Sequence, residues 1–319
     1  GTSPATTFVA NGAVETATMG VAEGGRFVAN GHVAVGTAIV NGVCDLQSGT
    51  LAFQTELAFW GAGALSRAPG TVLRSGSNAS LSVADGASLT LTADDSLADA
   101  HVAISEGGGR ISNSGPQTLR TAFVSTSGTY RADAPLVLGG DAYNTDLYIA
   151  PGGTFEANAS VQVGEDVSLD PGGTLNLLSG TFSAGLIRVS GSGAGTIIVN
   201  EAGGAAYDVG TVSLANGSSL ELSVATGSIG SLLLEDGLLT TTGSGGLALD
   251  ALMIVNSSLL TLDAFGGTGG SGEWGLKMPD TYFSALSAYV SGGSIVALSG
   301  KPLNVVQQDG FAYVTAVPE

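Results

Sequence analysis

Residues 151–177 read PGGTFEANASVQVGEDVSLDPGGTLNL, and the opening Pro151-Gly152-Gly153-Thr154 returns twenty positions later as Pro171-Gly172-Gly173-Thr174. Between the two copies, apolar residues occupy alternate positions, Val161/Val163 and Val167/Leu169, with Gln162 and Ser168 between them. A period of two sends one side chain inward and the next outward along a strand. The Gly-Gly pairs, with Asp-Gly and Asn-Gly pairs elsewhere, supply the left-handed backbone that tight corners need. Whole motifs that return at a fixed step predict a solenoid, each coil hydrogen-bonding to the next.

The same return extends outward in both directions. Phe8-Val9-Ala10-Asn11-Gly12 recurs as Phe27-Val28-Ala29-Asn30-Gly31, Val167/Leu169 are followed by Ile187/Val189, and Val212/Leu214 by Leu232/Leu234. Val189, Val209 and Ile229 continue the spacing of twenty. Leu81-Ser82-Val83, Leu89-Thr90-Leu91, Leu175-Asn176-Leu177 and Leu220-Glu221-Leu222 read as further short strands, and no convincing helical period precedes residue 250. The fold class is therefore all-β, a single-stranded β-solenoid with coils of about 20 residues and a small C-terminal cap. A β-sandwich is the alternative, because strands roughly 8 to 12 residues apart are also its signature. About twelve coils at an interstrand spacing of about 4.8 Å would make a rod on the order of 60 Å long. Phe27, Phe53, Phe123, Phe155 and Phe182 are expected to fill wider corners of its narrow core.

Composition agrees with a thin core and bounds the partners. The 319 residues include 51 glycines, and aromatic residues make up only 6%, too few for two compact cores built around large side chains. With 27 acidic against 9 basic residues the net charge is -18, yet only 11% of the chain is charged and 44% is hydrophobic. That is too apolar for an acidic disordered tail, and the negative field repels nucleic acid and anionic membranes. The one cysteine, Cys44, excludes an intrachain disulfide and is expected to point into the core. No run of 18 apolar residues exists to cross a membrane as a helix. The chain starts at Gly1 with no basic and apolar leader, as expected of an exported product or a trimmed chain.

Residues 1–262 are read as the repeat domain and 263–319 as a capping region. The latter begins in a Gly-rich stretch and gathers Trp274, Lys277, Tyr282, Phe283, Tyr289, Lys301, Phe311 and Tyr313. Asp280 to Gly292 is the one expected helix, with Asp280 as N-cap, Gly292 at its end, and Phe283, Leu286 and Val290 on one face. A cap is needed because a bare last coil presents unpaired strand edges. At the other terminus, Phe8 and Val9 are candidate anchors for self-assembly: the preceding residues form either an extended arm that adds a strand to a neighbour or a disordered leader.

Candidate chemistry is sparse. His32 and His101 lie far apart, and no nucleophile elbow, Cys-His pair or phosphate loop followed by lysine occurs. Three acidic clusters stand out: Asp94/Asp95/Asp99, Glu165/Asp166/Asp170 and Asp141/Asp146. Acidic turns on adjacent coils can hold calcium, so the first two are the candidate Ca2+ sites; solvated turn acids are the simpler alternative. Two acids of unequal pKa would also suit glycan cleavage, but Trp60 stands alone and only Tyr143/Tyr148 lie near the third cluster. Sequons begin at Asn78, Asn158, Asn216 and Asn256, a number that composition alone can produce.

Thr315-Ala316-Val317-Pro318-Glu319, preceded by Phe311-Ala312-Tyr313-Val314, resembles the end of bacterial exported proteins with a PEP-CTERM sorting region. In that family a Val-Pro-Glu-Pro sequence leads into a hydrophobic helix and basic tail processed by a membrane-bound exosortase system; those two elements are absent here. The segment from Trp274 to Thr315 also looks like the end of large Gly-rich members with autotransporter-like β-repeats. The resemblance implies an extracellular or outer-surface location in a Gram-negative-type bacterium and association with exopolysaccharide, flocs and biofilm. The expected function is a non-enzymatic structural protein of the surface or matrix, with itself and exopolysaccharide as partners. A glycan-binding surface protein or a polysaccharide-cleaving β-helix enzyme is the alternative.

Overall fold

The computed structural model describes residues 6–139, 145–200, 203–223, 226–243, 245–263, 265, 267–269 and 272–317. Two compact units are present, residues 1–148 with 152–164 and residues 149–151 with 165–319. In the first, the strands Thr7–Ala10, Arg26–Asn30, Val43–Ser48, Ala64–Arg67, Ser88–Leu91, Arg110–Asn113, Thr129–Ala132 and Thr154–Ala157 pair in that order, all parallel. Each is followed in its coil by strands of a second parallel array, among them Val14–Val21, Val33–Val40, Thr50–Phe59, Ser80–Val83, His101–Ile104 and Thr121–Val124. Parallel pairing between successive turns of the chain makes this a β-solenoid and excludes the antiparallel sandwich.

The repeat is physical register. Phe8 pairs with Phe27, Val9 with Val28 and Ala10 with Ala29. The same spacing continues past the strand, where Asn30 Nδ2 donates to Asn11 Oδ1 at 2.7 Å. Gly31 sits so close above Gly12 that a Cβ there would lie 2.6 Å from its carbonyl oxygen. In the first unit coil length varies from 17 residues, Arg26 to Val43, to 25, Thr129 to Thr154. Loops absorb the difference at corners while the strands stay aligned, because every inward side chain must meet its counterpart in the next coil.

In the second unit, Thr174–Leu177, Gly193–Val199, Ser218–Ser223, Leu238–Thr242, Leu259–Leu262 and Ile295–Ala297 form one parallel array. Asp166–Leu169, Thr181–Ser190, Ala206–Ala215, Thr226–Glu235 and Leu247–Val255 form the other. Val167/Leu169 pair with Ile187/Val189, and Val212/Leu214 with Leu232/Leu234, as the sequence predicts. The expected column Val189, Val209, Ile229 is corrected: Val209 pairs with Ile229, but Val189 pairs with Leu214, because that coil is 25 residues long.

The cores hold Leu, Val, Ile and Ala with a few aromatic rings. Phe27, Phe53, Phe155 and Phe182 are buried, and Tyr130 stacks on Phe155 with centroids 5.3 Å apart. Phe123 departs from expectation: it is 43% exposed and stacks on Tyr148 outside the core. The strand alternation decides this, since Ala122 and Val124 face inward and leave Phe123 facing out. Tyr130 is fully buried, its hydroxyl has no hydrogen-bond partner among the described residues, and burial pushes the phenol pKa up. An unpartnered buried hydroxyl is costly, so Tyr130→Phe is expected to raise unfolding free energy by about 1 kcal/mol in urea titration. A loss of stability would show that the hydroxyl is satisfied.

Cys44 is fully buried, as expected. Burial, with Asp45 adding to it, pushes the thiol pKa up to about 12. Thiolate is the species that alkylates, so the native protein should resist iodoacetamide at a pH of about 8 and label only on unfolding. Rapid native labelling would contradict the burial.

The turns explain much of the Asn, Asp and Gly content. Asn78, Asn216 and Asn256 adopt φ of 56°, 59° and 57°, so three of the four sequon asparagines occupy left-handed turn positions that asparagine tolerates.

The last coil of the second unit is covered. Leu276–Pro279 runs antiparallel to Phe311–Ala316, which runs antiparallel to Leu303–Gln308. The helix Phe283–Ser291 packs on this hairpin and on Ile295–Ala297, burying Leu286 while Phe283 and Val290 remain half-buried. Two details of the expected helix are corrected. Asp280 lies in a preceding 3-10 turn and Tyr282 is the α-helical N-cap, while Gly292 ends the helix at φ -80° and Gly293 takes the left-handed conformation at φ 76°. Trp274 and Tyr313 rings approach to 5.9 Å, and Lys277 Nζ lies 3.8 Å from the Phe311 ring centre.

Candidate functional site

Four surfaces could carry function. The first is the opening coil of the first unit. Thr7–Ala10 pairs only with Arg26–Asn30, and Val14–Val21 only with Val33–Val40, so among the described residues each strand has one edge without a partner. The same inward alternation that buries Phe27 directs Phe8 into the coil mouth, where it stacks on Phe27 at 5.7 Å with near-parallel rings. With no earlier coil over it among the described residues, Phe8 is 59% exposed, and outward Val9 is 48% exposed. A concavity of about 900 Å3 opens here, lined by Phe8, Val14, Met19, Val21, Phe27 and Val33 among others. Both predicted anchors therefore lie on a strand edge that has no partner among the described residues, and only Phe8 faces the apolar mouth. Residues 1–5 of the expected arm lie outside the described residues.

The second surface is the set of acidic turns. Asp95 turns fully inward and accepts from Arg67 Nη1 at 2.6 Å and Nη2 at 2.8 Å, from the Leu73 amide at 2.8 Å and from the Thr92 amide at 2.8 Å. Asp94 and Asp99 face solvent. Asp166 pairs with Arg188 at 3.5 Å, Glu165 is exposed and Asp170 is half-buried. Asp146 is buried, and its predicted companions Asp141 and Tyr143 lie outside the described residues. Among the described residues no three Asp, Glu, His or Cys side chains converge on a common point. The buried carboxylate of the first calcium candidate, Asp95, is thus engaged in an intramolecular ion pair.

A shallow groove of about 460 Å3 crosses outward residues Ser88, Thr90, Arg110, Arg131, Asp133 and Glu156. Burial would raise the Asp133 pKa, but hydrogen bonds from Asn158 and Arg131, at 2.7 Å each, outweigh it and hold the carboxyl below its usual range. Asp133 is therefore suited to stay ionised, the reverse of the raised pKa a general acid requires. Asp45 behaves alike: burial opposes ionisation, and hydrogen bonds from Arg26, Gln47 and Ser66 prevail.

No protein family, characterised protein or solved structure matches this chain.

The fourth surface, on the first unit, was not legible as a motif. Outward Phe123 and Tyr148 stack at 4.7 Å with an interplanar angle of 11°. One strand back, His101 pairs in register with Thr121, and its Nδ1 lies 2.9 Å from Thr121 Oγ1. His32 is exposed in a separate turn, so the two histidines do not meet. Phe123 and Tyr148 are 25 positions apart, a spacing that pairs them only once coil length is known. Trp60 is also outward, at 48% exposed.

Proposed function

We propose that this chain is an exported structural protein of the bacterial cell surface or extracellular matrix, and that its opening coil joins further copies of the chain. The strand edge that has no partner among the described residues, with Phe8 in an apolar mouth, carries this reading. Unpaired backbone donors and acceptors recruit another strand, and an apolar anchor adds affinity beyond the backbone bonds. Outer faces of Ser, Thr and Asn with few charges suit packing among hydrated polysaccharide. The likeness of the C-terminal segment to a sorting region supports export, and Val317 emerges 40% exposed after the final strand.

Sedimentation of the intact protein at high micromolar concentration tests the assembly. Oligomers or fibres are expected, and Phe8→Glu should shift them to monomer while leaving the β-rich circular dichroism unchanged. Deleting residues 1–9 is a blunter probe, because it uncovers Phe27-Val28-Ala29, the same motif one coil on. An intact protein that stays monomeric in low and physiological salt, with and without calcium, would end the building-block reading.

A further inference from the structure

We propose that the step formed by Phe123 and Ala103 on the outer face of the first unit binds a neutral glycan chain. Phe123 is covered on one ring face by Tyr148 at 4.7 Å. Its other face turns toward the preceding coil, where the residue in register is Ala103. On this outward face a ring standing off the sheet has only a methyl group in register beside it. That leaves a shelf, walled by an aromatic face and floored by Ala103 and, one coil further back, Ser82. The ring is 43% exposed, so the wall is accessible.

The chemistry of the shelf selects its occupant. Stacking on an aromatic face needs a flat group with outward C–H bonds, and a pyranose ring presents these on its apolar face. A sugar over Ala103 would extend the Phe123/Tyr148 column by one more coil spacing. Hydroxyl partners are in place: Ser80 and Ser82 pair in register with His101 and Ala103. His101 uses Nδ1 toward Thr121, which leaves Nε2 as the ring's second hydrogen-bonding atom. Charge decides between glycan types. A net charge of -18 disfavours uronate or sulfated polymers, so a neutral hexose polymer is assigned. The shelf deepens the surface role proposed above by naming the matrix component, and it does not depend on self-association.

Affinity electrophoresis of the intact chain through gels containing dextran, laminarin or hydroxyethyl cellulose, with alginate as the anionic counterpart, tests this. Retardation is expected with at least one neutral polymer and not with alginate. Phe123→Ala should weaken it at least tenfold, and Ala103→Leu, which fills the shelf and keeps the ring, should do the same. Both variants should sediment like the parent, while Phe8→Glu should retain glycan binding. No retardation by any neutral polymer, equal retardation by alginate, or retardation unchanged in both variants would overturn the assignment. So would conversion of oligomers to monomers by Phe123→Ala, because the aromatic step would then be a protein contact.

Discussion

Arg67→Ala is expected to lower the unfolding free energy by about 3–5 kcal/mol. Asp95 has no exposed side-chain surface and Arg67 only 12%. Both carboxylate oxygens meet the guanidinium, and Arg67 Nη2 also donates to the Thr90 carbonyl at 2.5 Å. The same carboxylate binds the Leu73 and Thr92 amides, so it pins a strand start and a turn from different coils. Removing the cation leaves a buried negative charge with only neutral donors, and burying an unpaired charge is far costlier than losing an exposed pair. Arg67→Lys keeps the charge but cannot span both oxygens, so a smaller loss is expected. Asp94→Ala and Asp99→Ala, at exposed positions beside it, should stay within about 0.5 kcal/mol of the parent. Urea titration of the four variants reads the difference; an Arg67→Ala midpoint equal to that of Asp94→Ala would show that the pair contributes nothing.

Gly210→Ala should cost about 2–3 kcal/mol in the second unit although it adds one methyl group. Gly185, Gly210 and Gly230 occupy one position on three successive coils, because Ala184 pairs with Val209 and Val209 with Ile229. At this position the inward alternation slips by one: Phe182 and Ala184 are buried before it, Ile187 and Val189 after it. The strand turns a corner there, and the corner brings each coil onto the backbone of the one before. A Cβ on Gly210 would lie 2.6 Å from the Gly185 carbonyl oxygen, and one on Gly230 would lie 2.6 Å from that of Gly210. The pairs on either side of the corner, Ala184/Val209 with Leu186/Thr211 and Val209/Ile229 with Thr211/Ser231, hold the coils in register, so the backbone there cannot move apart without straining them. Gly20 is the matched control, a strand glycine whose added methyl group would meet nothing within 4 Å, so Gly20→Ala should be close to neutral. Thermal melts of the two variants decide the matter; equal melting temperatures would mean that the corner relaxes freely.

These two sites separate what the chain states openly from what it leaves implicit. The solenoid class was readable from Phe8 to Gly12 and its copy at Phe27 to Gly31, because parallel coils in register repeat whole motifs. Inward burial of Cys44, Phe53, Phe155 and Phe182 followed from period-two alternation, a property local to each strand. The same alternation placed Phe123 outside, where its size alone had suggested the core. The Val189/Leu214 pairing escaped because coil length changes from 20 to 25 residues at loops, and no local rule says which residues a loop will set aside.

Partnerships between coils needed the tertiary structure for the same reason. Asp94, Asp95 and Asp99 form one cluster on paper, yet only Asp95 turns inward, because Arg67, 28 positions away, arrives beside it when the coils stack. Phe123 and Tyr148 become one surface, and Ala103 its floor, only through register. The sequence by itself determined the strand period, the turn chemistry and the acidic, sparsely charged surface, since these depend on neighbours along the chain. Which side chains share a face, which carboxylate is neutralised and which aromatic ring is left uncovered were decided by stacking, because in a solenoid the nearest neighbours of a residue lie one coil away.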